Sequence, residues 1–137
     1  MGLDGYLFDT NAAIALHRLD SSLDRVIRQA EKDKENIFFS VITQSEFIAG
    51  LSTDTDLELI PFLSGDFIAV DSEIAVKAGR IRREQKDKFA RKLKTPDALI
   101  LATAIINRLV LVTADQDLQF AESEYKVKVI NFNRSES

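Results

Sequence analysis

Cysteine is absent from the 137-residue sequence, and histidine occurs once. Without cysteine, neither a disulfide framework nor a zinc site with thiolate ligands is available. A single histidine also excludes a zinc site built from several histidines of one chain. Because nitrogen and sulfur ligands are nearly absent, any metal ion would be bound by carboxylate oxygens, which favour Mg²⁺ or Mn²⁺.

Long hydrophobic runs are also missing. The longest, near residues 98–106, is too short to span a membrane, and the N-terminus lacks the basic region and apolar run of a secretory signal. Apolar residues make up 45% and charged residues 29% of the sequence, which is typical of a globular protein. We therefore expect a cytoplasmic protein without membrane association, folded as a single domain over residues 1–137 with a loose tail from about 131 to 137.

Short apolar segments alternate with helical patterns along the chain. The predicted strands cover residues 5–9, 36–40, 67–70, 109–112 and 127–130. The predicted helices cover about 12–19, 21–32, 43–50, 54–60, 73–86 and 95–106, and a further short helix follows residue 113. This alternation, with strands that are apolar throughout, predicts an α/β fold in which helices cover both faces of a mainly parallel sheet, giving three α/β/α layers.

Residues 94–104 predict a buried helix with a carboxylate in its first turn. Thr95 suits the N-cap and Pro96 suits the first helical position. Asp97 shares a helix face with Ile100 and Leu101, so its side chain should point along a packed surface. A carboxylate there needs a partner, because an unpaired buried charge is costly.

Three other acids are expected near Asp97. Asp9 ends the first strand, Glu46 lies in the first turn of the helix after the second strand, and Asp115 follows the fourth strand. Ligands of open parallel sheets bind beyond the carboxyl ends of the strands. Each pair of carboxylates about 4 Å apart would cost on the order of 1–4 kcal/mol, and a divalent cation would remove that cost.

Each acid also has a purely structural interpretation. Glu46 and Thr43 match a capping box, and Asp97 is favoured by the dipole of its own helix. Asp9 and Asp115 could be N-caps; alternatively, Thr10 or Asn11 could cap the first helix.

Several polar residues beside the acids could support such a site. Asp117 is an alternative to Asp115 as the fourth acid, and hydroxyl groups near the strand ends could orient the carboxylates or simply cap helices. The supporting candidates are Thr10, Asn11, Ser40, Thr113 and Asp117. The single histidine, His17, is expected to have a surface or packing role.

The basic residues are concentrated in one segment. Residues 77–94 contain nine basic and two acidic residues, a net charge of +7, although the whole chain carries −4. Such a segment could attract a polyanion locally, or it could simply be a solvated helix face.

Four motifs carry a resemblance to a known family. They are Leu7-Phe8-Asp9-Thr10-Asn11, Ser40-x-x-Thr43-x-x-Glu46-Phe47, Pro96-Asp97-Ala98-Leu99-Ile100-x-Ala102-Thr103-Ala104 and Leu111-Val112-Thr113-x-Asp115-x-Asp117-Leu118. In this order and spacing they resemble a PIN domain, in particular the VapC-type toxins of bacterial and archaeal toxin–antitoxin pairs.

This resemblance implies a metal-dependent ribonuclease that leaves a 5′-phosphate and a 3′-hydroxyl. It implies catalytic roles for Asp9, Glu46, Asp97 and Asp115, with a metal ion held by Asp9, Asp97 and Asp115. It also implies a homodimer and a cognate antitoxin that blocks the site. The candidate residues for holding the RNA backbone are Arg80, Arg82, Arg83 and Lys86.

Two other function classes compete with the ribonuclease. One is a binding module that keeps the fold without catalysis. The other is a phosphoryl transferase with Asp9 as nucleophile, as in haloacid-dehalogenase-like enzymes, but those enzymes want a second aspartate two residues later, where this chain has Asn11.

Overall fold

The computed structural model describes residues 5–52 and 65–132. The strands are β1 (Gly5–Phe8), β2 (Asn36–Ser40), β3 (Asp66–Ile68), β4 (Val110–Thr113) and β5 (Val129–Asn131). The helices are α1 (Thr10–His17), α2 (Asp24–Asp33), α3 (Val41–Ala49), α4 (Ser72–Phe89), α5 (Thr95–Asn107) and α6 (Ala121–Tyr125). Short 3₁₀ helices cover Ser21–Leu23 and Gln116–Leu118. The predicted helix over 54–60 lies outside the described residues.

The sheet has five strands in the order β3-β2-β1-β4-β5, and every neighbouring pair is parallel. The chain adds strands on one side of β1 as far as β3 and then crosses to the other side for β4 and β5. The sheet therefore has a switch point between β1 and β4, where ligands of such folds bind. The predicted three-layer α/β/α fold is confirmed.

Alternate residues of β1 supply two hydrophobic cores. Phe8 is fully buried in the core that packs against α1 and α2. Leu7 points to the opposite face, where it is buried with residues of α4 and α5. This alternation follows from the two-residue period of a strand. Among the described helices, none is both long and apolar enough to cross a membrane.

The start of α5 differs from the prediction. Lys94, with an extended backbone and no capping side-chain hydrogen bond, is the N-cap, and Ala98 N–H donates to its carbonyl at 3.0 Å. Thr95 is therefore the first helical residue, and its predicted capping role is wrong. Pro96 is the second helical residue, where its missing N–H is still one of the four without a partner inside the helix.

Other boundaries shift by a few residues. The helix predicted over 73–86 continues to Phe89, and its last turn contains exposed basic residues. The short edge strand β3 ends at Ile68 instead of continuing to Val70. Asn131 belongs to β5 and Phe132 is buried, so these two residues of the predicted tail belong to the fold; residues 133–137 lie outside the described part.

The close approach of β1 to β2 gives a stability test. A Cβ atom at Gly5 would lie 2.5 Å from the Asn36 carbonyl oxygen and 2.9 Å from Phe38 Cε2. We expect Gly5→Ala to lower the free energy of unfolding by about 1–3 kcal/mol, because the paired backbone must move. Urea unfolding measures this change.

Gly79 in α4 provides the matched control, since no atom apart from its chain neighbours and the backbone of its own helix lies within 4 Å of a Cβ placed there. Gly79→Ala should raise stability by about 0.5–1 kcal/mol through helix propensity alone. Equal effects of the two substitutions would contradict the tight β1–β2 contact.

Candidate active site

Asp9 is a buried carboxylate at the switch point of the sheet. It follows β1 directly and is only 5% exposed. Its Oδ1 accepts the Ala12 N–H at 2.9 Å and so caps α1, which assigns the cap to Asp9 and not to Thr10 or Asn11. Burial raises the pKa of Asp9 to about 6, although hydrogen bonds from Thr113 and Ala12 oppose the shift. The carboxylates of Asp115 and Asp97 also contribute to this raised pKa.

Thr113 connects Asp9 to Asp115. It is the last residue of β4 and is fully buried. Its hydroxyl hydrogen-bonds the Asp9 carboxylate and accepts the Asp115 N–H at 2.9 Å. Asp115 is itself an N-cap, because its Oδ1 accepts the Asp117 N–H at 2.8 Å. The two neighbouring strand ends are thus tied together through one hydroxyl group.

Glu46 is held by Thr10 across the interface between α1 and α3. Thr10 Oγ1 donates to Glu46 Oε1 at 2.6 Å and lies 3.3 Å from Thr43 Oγ1. The capping-box interpretation is wrong, because Ser40 caps α3 by accepting the Ile42 N–H at 3.0 Å. With α3 starting at Val41, Glu46 lies in its second turn and not in the first turn as predicted.

Asp97 lies in the first turn of α5 and is half-buried. Burial raises its pKa, and the carboxylates of Asp115, Glu46 and Asp117 raise it further. The ammonium group of Lys94 opposes the shift. The four predicted acids are therefore close enough to influence one another electrostatically, and the exposed Asp117 adds a fifth carboxylate.

A hard divalent cation fits these side chains in charge and in ligand type. All the candidate donors are carboxylate or hydroxyl oxygens, as such ions prefer. Within residues 5–52 and 65–132, none of the four acids forms a salt bridge, so their repulsion is not balanced by ion pairing. In this same part of the chain, no three acidic or histidine side chains form a complete metal site.

Comparison with known proteins identifies the family. A family model described as "PIN domain" matches residues 6–122. The chain belongs to the PIN domain family. No curated protein sequence matches it.

Several solved structures are similar to this PIN domain over most of its length. A toxin–antitoxin complex from Klebsiella pneumoniae contains a chain with 27% identity and a TM-score of 0.71, covering 96% of this chain and 100% of that one. VapBC2 from Rickettsia felis, bound to a promoter DNA fragment, gives 22% identity and a TM-score of 0.73, with 91% and 96% covered. A chain of DNA-bound VapBC from Salmonella typhimurium has 21% identity and a TM-score of 0.73, and the match covers 93% of this chain and 98% of that one. Two of these structures are VapBC complexes and the third is a toxin–antitoxin complex, and the likeness shows that their chains share this fold.

The remaining supporting candidates of this PIN domain, Asn11 and Ser40, form no side-chain hydrogen bond with the four acids within the described ranges. Ser40 is fully buried and acts as the cap of α3. Asn11 is exposed in the first turn of α1, and its side chain forms no hydrogen bond within the described ranges. His17 is exposed and packs edge-on against Phe47, with ring centroids 5.3 Å apart, in agreement with the expected surface or packing role.

The predicted RNA-binding residues all lie exposed on α4, but they differ in their surroundings. Arg82, Arg83 and Lys86 line one cleft, and Arg80 is not part of its wall. Arg82 Nε donates to the Leu93 carbonyl at 3.0 Å, so this residue also has a structural role.

Sequence reasoning missed a polar network centred on Gln85, which is fully buried. Gln85 Nε2 donates to Glu124 Oε1 at 2.9 Å and to Tyr125 Oη at 3.1 Å, and its Oε1 accepts from Arg91 Nη1 at 2.9 Å. The sequence does contain a signal for the burial of Gln85, because this residue continues the apolar stripe of α4 that includes Ile74 and Ile81 at helical spacing.

The raised pKa of Asp9 predicts a pH-dependent stability. Because the pKa is about 6 in the folded state and near 3.8 in the unfolded chain, the metal-free protein should lose stability as the pH rises from about 4 to above 6. Asp9→Asn retains the cap oxygen and removes the charge. We expect it to stabilise the metal-free protein by up to about 3 kcal/mol at pH 8 and hardly at all at pH 4.

Urea unfolding in the presence of EDTA at these two pH values measures the difference. Asp71→Asn is the control, because Asp71 also caps a helix through Oδ1, that of α4, but is exposed. Equal pH dependence of the wild type and Asp9→Asn would contradict the costly burial of this charge.

Proposed function

We propose that the chain is a Mg²⁺- or Mn²⁺-dependent ribonuclease and the toxin of a VapBC-type toxin–antitoxin pair. The observation that carries the proposal is the convergence of Asp9, Glu46, Asp97 and Asp115 at the switch point of a PIN domain. An uncompensated cluster of carboxylates is unfavourable for folding, which is understandable if the site works with a bound cation. The similarity to chains of toxin–antitoxin complexes supports an antitoxin partner.

The reaction is hydrolysis of an RNA phosphodiester bond. Asp9, Asp97 and Asp115 would hold the cation, which would supply Lewis acidity and offset the charge that develops on the phosphate. Glu46 is exposed and oriented by Thr10, so it can accept the proton of the attacking water. A bond from water oxygen to phosphorus forms while the bond from phosphorus to O3′ breaks. The leaving O3′ takes a proton from solvent water, and Glu46 returns the proton that it accepted to the solvent. The products are a 5′-phosphate and a 3′-hydroxyl.

The basic residues Arg80, Arg82, Arg83 and Lys86 are proposed to contact the RNA backbone. The protein is further proposed to act in the cytoplasm as a homodimer. Its cognate antitoxin would suppress the activity by covering the acidic site.

Two alternatives remain distinguishable by experiment. A PIN-fold binding module without catalysis would bind RNA but neither bind Mg²⁺ nor cleave. A phosphoryl transferase would act on small phosphate esters, yet Asn11 replaces the second aspartate that such enzymes use, and one oxygen of Asp9 already accepts a backbone hydrogen bond.

Asp97→Asn tests the catalytic proposal. With single-stranded RNA and Mg²⁺, we expect cleavage to fall by about 100-fold or more, because a carboxylate at the reacting centre is lost. The same substitution should relieve growth inhibition when the protein is expressed without an antitoxin. EDTA should abolish wild-type cleavage, and analysis of the product ends should reveal a 5′-phosphate.

Glu31→Gln is the matched control, since Glu31 is an exposed acid on α2. It should retain both activities. Undiminished cleavage by Asp97→Asn, or wild-type cleavage in EDTA, would refute the proposed mechanism.

Thr10 tests whether the orientation of Glu46 matters. Thr10→Val removes the hydroxyl that lies 2.6 Å from Glu46 Oε1 but keeps the shape of the side chain. We expect kcat to fall about 10-fold with little change in KM, because a misoriented proton acceptor affects the chemical step. Thr10→Ser should restore most of the rate, and equal activity of both variants would show that the hydrogen bond has no part in catalysis.

A further inference from the structure

Two clefts lie on either side of the segment that joins α4 to α5, residues 90–94. The first has a volume of about 720 Å³ and is lined by Gly79, Arg82, Arg83, Lys86, Asp87, Ala90, Arg91, Lys92 and Leu93. The second, of about 670 Å³, is lined by Arg91, Lys92, Leu93, Gln116, Asp117, Gln119, Phe120, Ser123 and Glu124. They share three wall residues and are therefore neighbours. We call the first one the basic cleft.

The basic cleft has a strong excess of positive charge. Five of its wall residues are basic and one, Asp87, is acidic. Arg83, Lys86 and Lys92 form no ion pair or side-chain hydrogen bond with any residue in the described ranges. Such cations at a concave surface are suited to bind the phosphates of a nucleic acid.

The wall of the basic cleft is fixed before any ligand binds. Ala90 ends α4 in the left-handed conformation, with φ 53°, and turns the chain back. Arg91 Nη1 forms a 2.7 Å salt bridge with Glu124, and Arg82 Nε donates to the Leu93 carbonyl at 3.0 Å. These two interactions hold Arg91 and Leu93, near the two ends of the part of the segment that lines the cleft.

Gln85 holds the segment from the interior of the protein. Its buried side chain contacts Arg91, Glu124 and Tyr125, while Tyr125 Oη donates to Glu84 Oε1 at 2.8 Å. The network joins α4, α6 and the segment, so its polar groups satisfy one another in the interior. A wall held this way loses little entropy when a ligand binds.

The same segment leads directly to the acidic site. Lys94 is the N-cap of α5, and its charge acts on Asp97 one turn later. Asp117, in the wall of the second cleft, also acts on Asp97. Three residues of chain span at most about 11 Å, which bounds the distance from Arg91 to Lys94, the N-cap of the helix that carries Asp97.

We propose that the basic cleft binds phosphates of the RNA strand that flanks the scissile bond, with Arg83, Lys86 and Lys92 as the contacting cations. The strand crosses residues 91–93 between the acidic site and the basic cleft. This inference rests on the proposed ribonuclease function, specifies the cleft in which its basic residues contact the RNA, and adds Lys92 to them. Arg91 holds the wall through Glu124 and Gln85. Arg82 anchors Leu93 through Nε and keeps its other guanidinium N–H groups for the RNA backbone.

The double variant Arg83→Ala/Lys86→Ala tests the basic cleft. Binding of a single-stranded RNA of roughly 12 nucleotides is measured by fluorescence anisotropy in EDTA at several salt concentrations. We expect weaker binding and a slope of log Kobs against log salt that is shallower by about 1.4, since each lost phosphate contact contributes about 0.7 for single strands. In Mg²⁺, kcat/KM should fall more for this RNA than for a dinucleotide.

The control is Arg28→Ala/Lys32→Ala, which removes the same charge from exposed positions of α2, in the helix layer on the opposite face of the sheet. It should leave the slope unchanged, and circular dichroism melting should show that both double variants fold. If the cleft variant binds like the control while the wild type cleaves RNA, the basic cleft is not a binding site. If the wild type cleaves no RNA in Mg²⁺ or Mn²⁺, the proposed function itself fails.

Discussion

The burial of the Asp9 carboxylate at the centre of a parallel sheet is the constraint on which the candidate site depends. The strand order places Asp9 at the end of β1 beside β4, at the switch point of the sheet, where it is only 5% exposed. Burying a carboxylate is costly unless hydrogen bonds or an ion compensate for it. Ala12 and Thr113 supply part of that compensation, and the neighbouring acids act against it.

Structural and functional interpretations of these acids are compatible. Asp9 and Asp115 both cap helical turns through Oδ1, so the same residues begin the next element and present a carboxylate at the edge of the sheet. A helix that starts directly after a strand needs an acceptor at its first turn. Aspartate meets this need, and the cap in turn fixes the orientation of the carboxylate.

The sequence was most informative where a property depends on neighbours in the chain. The strands, most helices and the position of Asp97 in the first turn of α5 follow from hydrophobic periodicity and turn residues. The errors concern competition between adjacent residues. Ser40 is the N-cap of α3, which places Glu46 in the second turn. Lys94 is the N-cap of α5, a role that we predicted for Thr95. Such choices differ by small energies, and packing of the whole helix decides between them.

The sequence by itself determined the alternating elements, and hence that acids at strand ends would meet at one edge of a parallel sheet. It also determined that any ion held there would be bound through oxygen. Only the tertiary structure decided that Thr10 orients Glu46 and that Thr113 joins Asp9 to Asp115. It alone decided that Gln85 fixes the wall of the basic cleft. These contacts join residues that are distant along the chain, so they depend on how helices pack across the sheet, which no local pattern encodes.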